Sequence, residues 1–298
     1  MADKIVENIR KEAKRILEEK IVDIVIGFEK GTLPYTASPV FIENPDDVDK
    51  LIWNRYCHNN LAVYLRNFPD KKIGIIVKGC DSRSIVALMA EKQLTRENIY
   101  IIGVPCEGML DKNKLLEEFG DNPPAEVKEE FLYPSCQYCE HKNPVIYDFL
   151  TGEPVQEKEE EPYPDVVEFE KKTLDERWKY FQEEASKCIR CYACRQACPM
   201  CYCEECFVDT NSPKWLDPGI DLPDLQVWHI IRAYHQAGRC VDCGACERAC
   251  PMDIKILWLT RKLNKDVRDL FEFEIGIDPE KVPPLGTFSL YDKEEFLI

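Results

Sequence analysis

No stretch of this 298-residue chain approaches the roughly 20 uninterrupted apolar residues that a helix needs to cross a bilayer, so membrane insertion is not expected. Positive charge is also short. The 39 Lys and Arg face 55 Asp and Glu, a formal charge of -16 that repels phosphate backbones and anionic lipid surfaces. Nucleic acid is therefore excluded as an expected partner. The opening segment MADKIVENIRKEAKRILEEK has neither the apolar run nor the small-residue cleavage site of a secretion signal, and a cytoplasmic location is the expectation. In such a reducing compartment thiol buffers keep disulfides open, yet the chain carries 16 cysteines. Metal ligation is the leading reading of them before any spacing is considered.

The length suits two or three domains. Ile5, Ile9, Ala13, Ile16 and Leu17 recur at helical intervals and predict a surface helix packed by one stripe. Ile21 to Phe28 reads as a strand, and Asp46 to Arg66 as a helix capped by Asp46 or Asp47. Ile73 to Val77 and Ile99 to Val104 are further strands around a helix capped by Asp81 or Ser82, which makes a βαβ unit with parallel strands. The Glu- and Pro-rich stretch EPVQEKEEEPYPD from Glu153 reads as a solvated linker. The expected organisation is thus a first domain over 1–152, a linker over 153–172, a cysteine-rich domain over 173–275 with an insert at 201–239, and a docking tail over 276–298. Packing of the tail on its own domain is the default reading.

Cys188, Cys191, Cys194 and Cys198 precede Pro199, and Cys240, Cys243, Cys246 and Cys250 precede Pro251. Each run is C-x2-C-x2-C-x3-C-P, the bacterial ferredoxin pattern in which the fourth cysteine serves the other cluster. Two-residue steps aim three thiolates at three irons of one cubane, while the last cysteine is expected to open a helix aimed elsewhere. Cys188, Cys191, Cys194 and Cys250 are assigned to one 4Fe-4S cluster, and Cys240, Cys243, Cys246 and Cys198 to a second. Zinc is the competing reading, but it needs two CxxC pairs per ion and has no use for the third cysteine or the x3-C-P ending. Arg190, Arg195, Arg239 and Arg248 lie near these runs, either offsetting cluster charge or merely solvated. Cys201, Cys203 and Cys206 open the insert as a CxCxxC triplet, either ligands of a further cluster, a shield for the second one, or free buried thiols.

In the first domain Cys80 and Cys106 fall just past the carboxyl ends of two strands, the edge where ligands of open α/β sheets gather, and are expected to be neighbours. Cys136 and Cys139 form a CxxC in a Pro-bounded loop that would complete a four-thiolate site for a third 4Fe-4S cluster, with Cys57 as the substitute ligand. A redox dithiol and a zinc site are the alternatives there. His58 and His141, each beside a cysteine, read as surface or supporting groups. The fold class is an α/β N-terminal domain of parallel βαβ units followed by an α+β bacterial dicluster ferredoxin domain.

VKGCDSRSIVALM from Val77, IIGVPCEG from Ile101, SCQYCE from Ser135 and the double ferredoxin run resemble the coenzyme F-420 hydrogenase/dehydrogenase beta-subunit family, most closely bacterial relatives beside heterodisulfide-reductase-like subunits. The resemblance spans most of the chain. It implies iron-sulfur clusters, often a flavin such as FAD, and partners that are the other redox subunits of a hydrogenase, formate dehydrogenase or heterodisulfide-reductase-like complex. The GCDSRS turn departs from a G-x-G-x-x-G phosphate loop. If a flavin binds, the turn of Lys78, Gly79, Asp81, Ser82 and Arg83 and the following helix N-terminus are the place for it. The reading is an electron-relay subunit; the alternatives are a flavin-bearing subunit that itself reduces a deazaflavin, nicotinamide or disulfide, and a zinc-stabilised scaffold.

Overall fold

Ile73–Val77 is apolar at every position, which suits a strand covered on both faces. In the computed structural model, which describes residues 2–122, 124, 127–157, 163–288 and 291, it is β3, the central strand of a sheet ordered β2-β1-β3-β4-β5. The others are β1 (Ile24–Lys30), β2 (Ala37–Ile42), β4 (Ile99–Gly103) and β5 (Phe149–Leu150). β2 runs antiparallel to β1, and the remaining neighbours are parallel, with Val77 beside Gly103. Ile75, Ile76 and Val77 are fully buried, each contributing roughly 1.5–3 kcal/mol by leaving water. Helix α1 (Ala2–Glu18) buries Ile9, Ala13, Ile16 and Leu17 as its spacing predicts. A side chain at Gly74 would crowd Ile16, so this glycine lets α1 lie close on β3.

The chain divides into two units: Met1–Pro162 with Gly276–Pro279, and Tyr163–Ile275 with Glu280–Ile298. The first holds the sheet, α1, α2 (Gly79–Ala90), α3 (Lys112–Phe119) and α4 (Pro134–Gln137). The helix expected over Asp46 to Arg66 is replaced by two 3-10 turns, Pro45–Lys50 and Leu61–Asn67. Asn44 and Asn60 explain the difference: their side chains accept from the Asp46 and Ala62 amides and start each turn separately. α2 also starts earlier than expected, at Gly79. Asp81 is its third residue, and its carboxylate reaches back to the Lys78 amide instead of capping from outside.

The second unit holds α5 (Pro164–Glu170), α6 (Leu174–Ser186), α7 (Ala193–Gln196), α8 (Leu222–His235), α9 (Ala245–Arg248) and α10 (Leu257–Phe271). α5 lies within the stretch read as linker, started by Pro164 at its first turn and tied down by Asp165, which pairs with the buried Arg261 of α10 at 2.8 Å. Residues 158–162 of that stretch lie outside the described residues. Among the described residues the strand content of this unit is the isolated Asn211–Lys214 bridge. Of the tail, Pro283 is buried and Pro284 lies against Gly238, whereas Leu285, Phe288 and Tyr291 are exposed. Residues 289–290 and 292–298 lie outside the described residues.

Candidate metal centre

The two ferredoxin runs have the same local backbone. Arg190 and Asp242, each two residues past the first cysteine of a run, are left-handed at φ 53 and 59, and their amides donate to Cys188 and Cys240 Sγ, both at 3.4 Å. Tyr192 and Gly244 are left-handed as well and cap the matched short helices α7 and α9. The fourth cysteine therefore follows a short helix and does not open one: the turns are spent before Cys198 and Cys250 are reached.

The runs cross. Among the thiols, Cys194 lies by Cys188, Cys191 and Cys250, and Cys246 by Cys198, Cys240 and Cys243, with Arg232 beside both sets. Burial pushes the Cys240 thiol up to about 12 and raises those of Cys188, Cys194 and Cys246, so without a cationic partner these groups stay protonated. Ligation would release those protons.

The donor set fits cubanes better than zinc. Four thiolates at about 2.3 Å from one zinc lie under 4 Å from each other. Among the described residues no three cysteines bring their sulfurs within 4.8 Å of one another. The iron-sulfur cofactor that these sulfurs suit also matches the amide donors to Cys188 and Cys240, which are the kind of contact that tunes its potential.

Of the two readings for Arg190 and Arg195, plain solvation is not what the contacts show. Arg190 donates to the Gly219 carbonyl at 2.6 Å and to the Tyr192 hydroxyl, holding the insert beside the first run, and Arg195 pairs with Asp209 at 2.7 Å. Of the triplet, Cys201 lies against Cys198; the contact lowers the Cys201 thiol and, with burial, raises that of Cys198. Cys201, Cys203 and Cys206 line a cavity of ≈ 210 Å³ together with Arg232 and Gln236. Sequence reasoning missed these last two. Their signal was present: the buried stripe Leu225, Trp228, Arg232 of α8, continued by Gln236 at its C-cap, carries polar residues where an apolar face should continue.

In the first unit, the strand ends place Cys80 and Cys106 on one edge. Lys78 joins them, with both sulfurs among its charged neighbours. Cys106, Cys136 and Cys139 are mutual neighbours, and Cys57 faces Cys106. The CxxC loop is pinned over this edge by the Cys106 amide donating to the Lys142 carbonyl at 2.9 Å and by the Val145 amide donating to Ser82 Oγ at 2.9 Å. Burial pushes Cys57, Cys106 and Cys139 up to about 12. Gly108, left-handed at φ 102, donates its amide to Cys106 Sγ at 3.4 Å, which repeats the geometry of Cys188 and Cys240. Cys57 differs, since it accepts from the Asn54 amide behind it. His58 is buried against Tyr133, with ring centroids 5.9 Å apart.

The turn offered for a flavin phosphate is already full. Lys78 Nζ is held by Asp81 at 2.8 Å and by the Asn59 carbonyl at 2.6 Å, and Ser82 Oγ donates to the Gly79 carbonyl at 2.8 Å. Even a Cβ at Gly79 would overlap the His141 carbonyl oxygen. The residues at this turn do not fit a phosphate.

Comparison with known proteins agrees with this geometry. Residues 12–66 match the family described as coenzyme F420 hydrogenase/dehydrogenase, beta subunit N-term, and residues 184–254 match the 4Fe-4S dicluster domain. The F420-dependent formate dehydrogenase subunit beta of Methanocaldococcus jannaschii is 26% identical, over 91% of this chain and 92% of its own length. The resemblance to the coenzyme F420 hydrogenase/dehydrogenase beta-subunit family is borne out. A second relative, F420-dependent formate dehydrogenase 1 subunit beta of Methanococcus maripaludis, is 27% identical over 92% of this chain and 91% of its own. A chain of the F420-reducing [NiFe] hydrogenase complex from Methanosarcina barkeri aligns at 14% identity over 63% of this chain and 91% of that one, with a TM-score of 0.39, too loose to carry weight. Among the described residues no helix is long and apolar enough to cross a membrane.

Proposed function

We propose that this chain is the iron-sulfur electron-transfer subunit of a multi-subunit formate dehydrogenase, hydrogenase or heterodisulfide-reductase-like complex, acting in the cytoplasm. The observation that carries the reading is the crossing of the two runs, which puts Cys250 with Cys188 and Cys194, and Cys198 with Cys240 and Cys246. A 4Fe-4S cluster, when bound, supplies one-electron transfer without a proton-transfer residue. The chain's part is to present four thiolates to each cluster, to aim amides at the first sulfur of each run, and to keep water off through burial.

Cys80, Cys106, Cys136 and Cys139 are the ligands of a third cluster in the first unit. The Gly108 amide on Cys106 supports this, as does the gathering of Cys106, Cys136 and Cys139, with Cys80 and Cys106 both beside Lys78. Cys57 stands by as a buried thiol, and Cys201, Cys203 and Cys206 are read as thiols lining their cavity. The domain limits that go with this reading are 1–152, 153–172, 173–275 and 276–298.

The names of the relatives favour a second reading, in which the first unit binds FAD and reduces a deazaflavin itself. Since the turn from Lys78 to Arg83 is filled, such a flavin would have to bind elsewhere. Iron, sulfide and flavin analysis of anaerobically purified protein decides. About twelve irons without flavin are expected, by the four-iron stoichiometry of cubanes; about eight would remove the third cluster, and stoichiometric zinc would overturn the whole reading.

A further inference from the structure

A buried charge without an opposite partner is costly, and proteins normally pair it. Arg232 in α8 is 5% exposed, and among the described residues no carboxylate pairs with it. Its Nη2 donates to the Cys194 carbonyl at 3.2 Å, while its Nε has no partner. What surrounds the guanidinium is sulfur: its charged neighbours are Cys194 of one set, Cys198 and Cys246 of the other, and Cys201 between them. One turn further on, Gln236 is 3% exposed. Its amide nitrogen donates to Cys201 Sγ at 3.4 Å, and its oxygen accepts from the Cys198 thiol at 3.6 Å. α8 thus directs a cation and an amide, at i and i+4, toward the place where the two sets meet.

We propose that Arg232 is the shared counter-charge of the two clusters, a positioning residue that raises both reduction potentials together. This rests on the reading of Cys188–Cys250 as a two-cluster site. A cubane held by four thiolates gains one negative charge on reduction, and a fixed cation nearby favours the reduced form. Arginine suits the task because its guanidinium keeps its proton when desolvated, and a lysine here would keep its own only because the clusters beside it are negative. Facing sulfurs of both sets, it acts on two potentials where a surface arginine would act on one or none. Gln236 completes the arrangement: with Cys198 a thiolate ligand, the amide turned over would place its nitrogen on that sulfur, and the two orientations differ only by exchange of nitrogen and oxygen.

The test is an EPR-monitored redox titration of the whole chain, with iron and sulfide counts, for wild type, R232Q and R232K. R232Q is expected to keep both clusters of this unit and to lower both potentials. The reduced-to-oxidised ratio of each should fall about tenfold at a fixed potential, which is about 59 mV for one electron. R232K should lie near wild type. If only one potential moves, or neither, the proposal is overturned. Should R232Q fail to hold iron, R232K decides: iron retained with near-native potentials supports the counter-charge, and iron lost from both variants means the guanidinium is needed for shape, which overturns it. Wild type lacking two clusters in this unit would instead sink the functional reading itself.

Discussion

Replacing Asp81 with Asn should be among the most damaging isosteric changes available in the first unit. Lys78 and Asp81 lie 2.8 Å apart with side chains 2% and 0% exposed, below the Phe28 ring, 5.5 Å from Lys78 Nζ. Asn keeps the shape and an oxygen for the Lys78 amide, so the change removes the charge alone. The ammonium is left with the Asn59 carbonyl as its close partner, and breaking a buried pair from one side costs about 3–5 kcal/mol. Because 1.4 kcal/mol is tenfold, amide hydrogen exchange of β3 and α2 should accelerate by about two to three and a half orders of magnitude. K78M/D81N, which removes both charges, should recover most of the loss.

The pH response gives an independent check. Burial works against the charged form of Lys78, but Asp81 and nearby thiols outweigh it and hold the ammonium above the ordinary lysine range. A lysine raised in this way contributes stability at all pH values below its unfolded pKa of about 10.4, so the wild-type contribution is flat between pH 6 and 9 by linkage. In D81N burial acts unopposed by the carboxylate and the lysine pKa falls. The deficit then shrinks as pH rises through the lowered value. An exchange acceleration below about tenfold, or a D81N deficit that does not change with pH, would refute the claim that this pair is ionic and buried.

His229 is buried with Nε2 unpartnered, and burial, helped by Arg232, pushes it down to about 4. A depressed histidine gives stability that is present above its unfolded pKa of about 6.5 and lost as pH falls toward 4, so melting of the second unit should weaken over that window by a few kcal/mol at most, and H229Q should flatten the profile. Gly79→Ala drives a Cβ into the His141 carbonyl, so circular dichroism melting should show a loss of about 1–3 kcal/mol. The same change should lower the iron content of the first unit by displacing the CxxC loop. Cys106→Ala should cost about four irons while Cys57→Ala leaves the count unchanged, by cubane stoichiometry; equal losses from both would return Cys57 to the ligand set.

What was readable from residues alone was whatever a short pattern decides. Ile73–Val77 and Ile99–Gly103 read directly as covered strands, and the spacing of the eight cysteines reads directly as a dicluster domain. The Asp46 to Arg66 segment misled because its apolar residues, Val48, Leu51, Leu61 and Leu65, do sit inside, but Asn44 starts one turn before them and Asn60 starts a second between Leu51 and Leu61. Arg232 was invisible for the opposite reason. Its place on a buried stripe is plain in the helix, but the meaning of a cation there depends on sulfurs brought from Cys194, Cys198 and Cys246 by tertiary packing. The flavin turn shows the same limit, since only the fold reveals the His141 loop lying over Gly79.

One backbone device links the two units. Cys106, Cys188 and Cys240 each receive an amide from the residue two places on, each at 3.4 Å, and that residue is left-handed in every case. At Gly108 the conformation is free of steric penalty, but at Arg190 and Asp242 it costs of order 1 kcal/mol apiece, a strain that persists only where the surroundings enforce it. Neutral thiols are poor acceptors and would not justify it. Thiolates bonded to iron are better acceptors, because they keep negative charge that an aimed amide stabilises. The conformation suits the ligated form, and its recurrence at Cys106, outside any ferredoxin run, is the physical reason to propose the first unit's cysteines as ligands of the same kind.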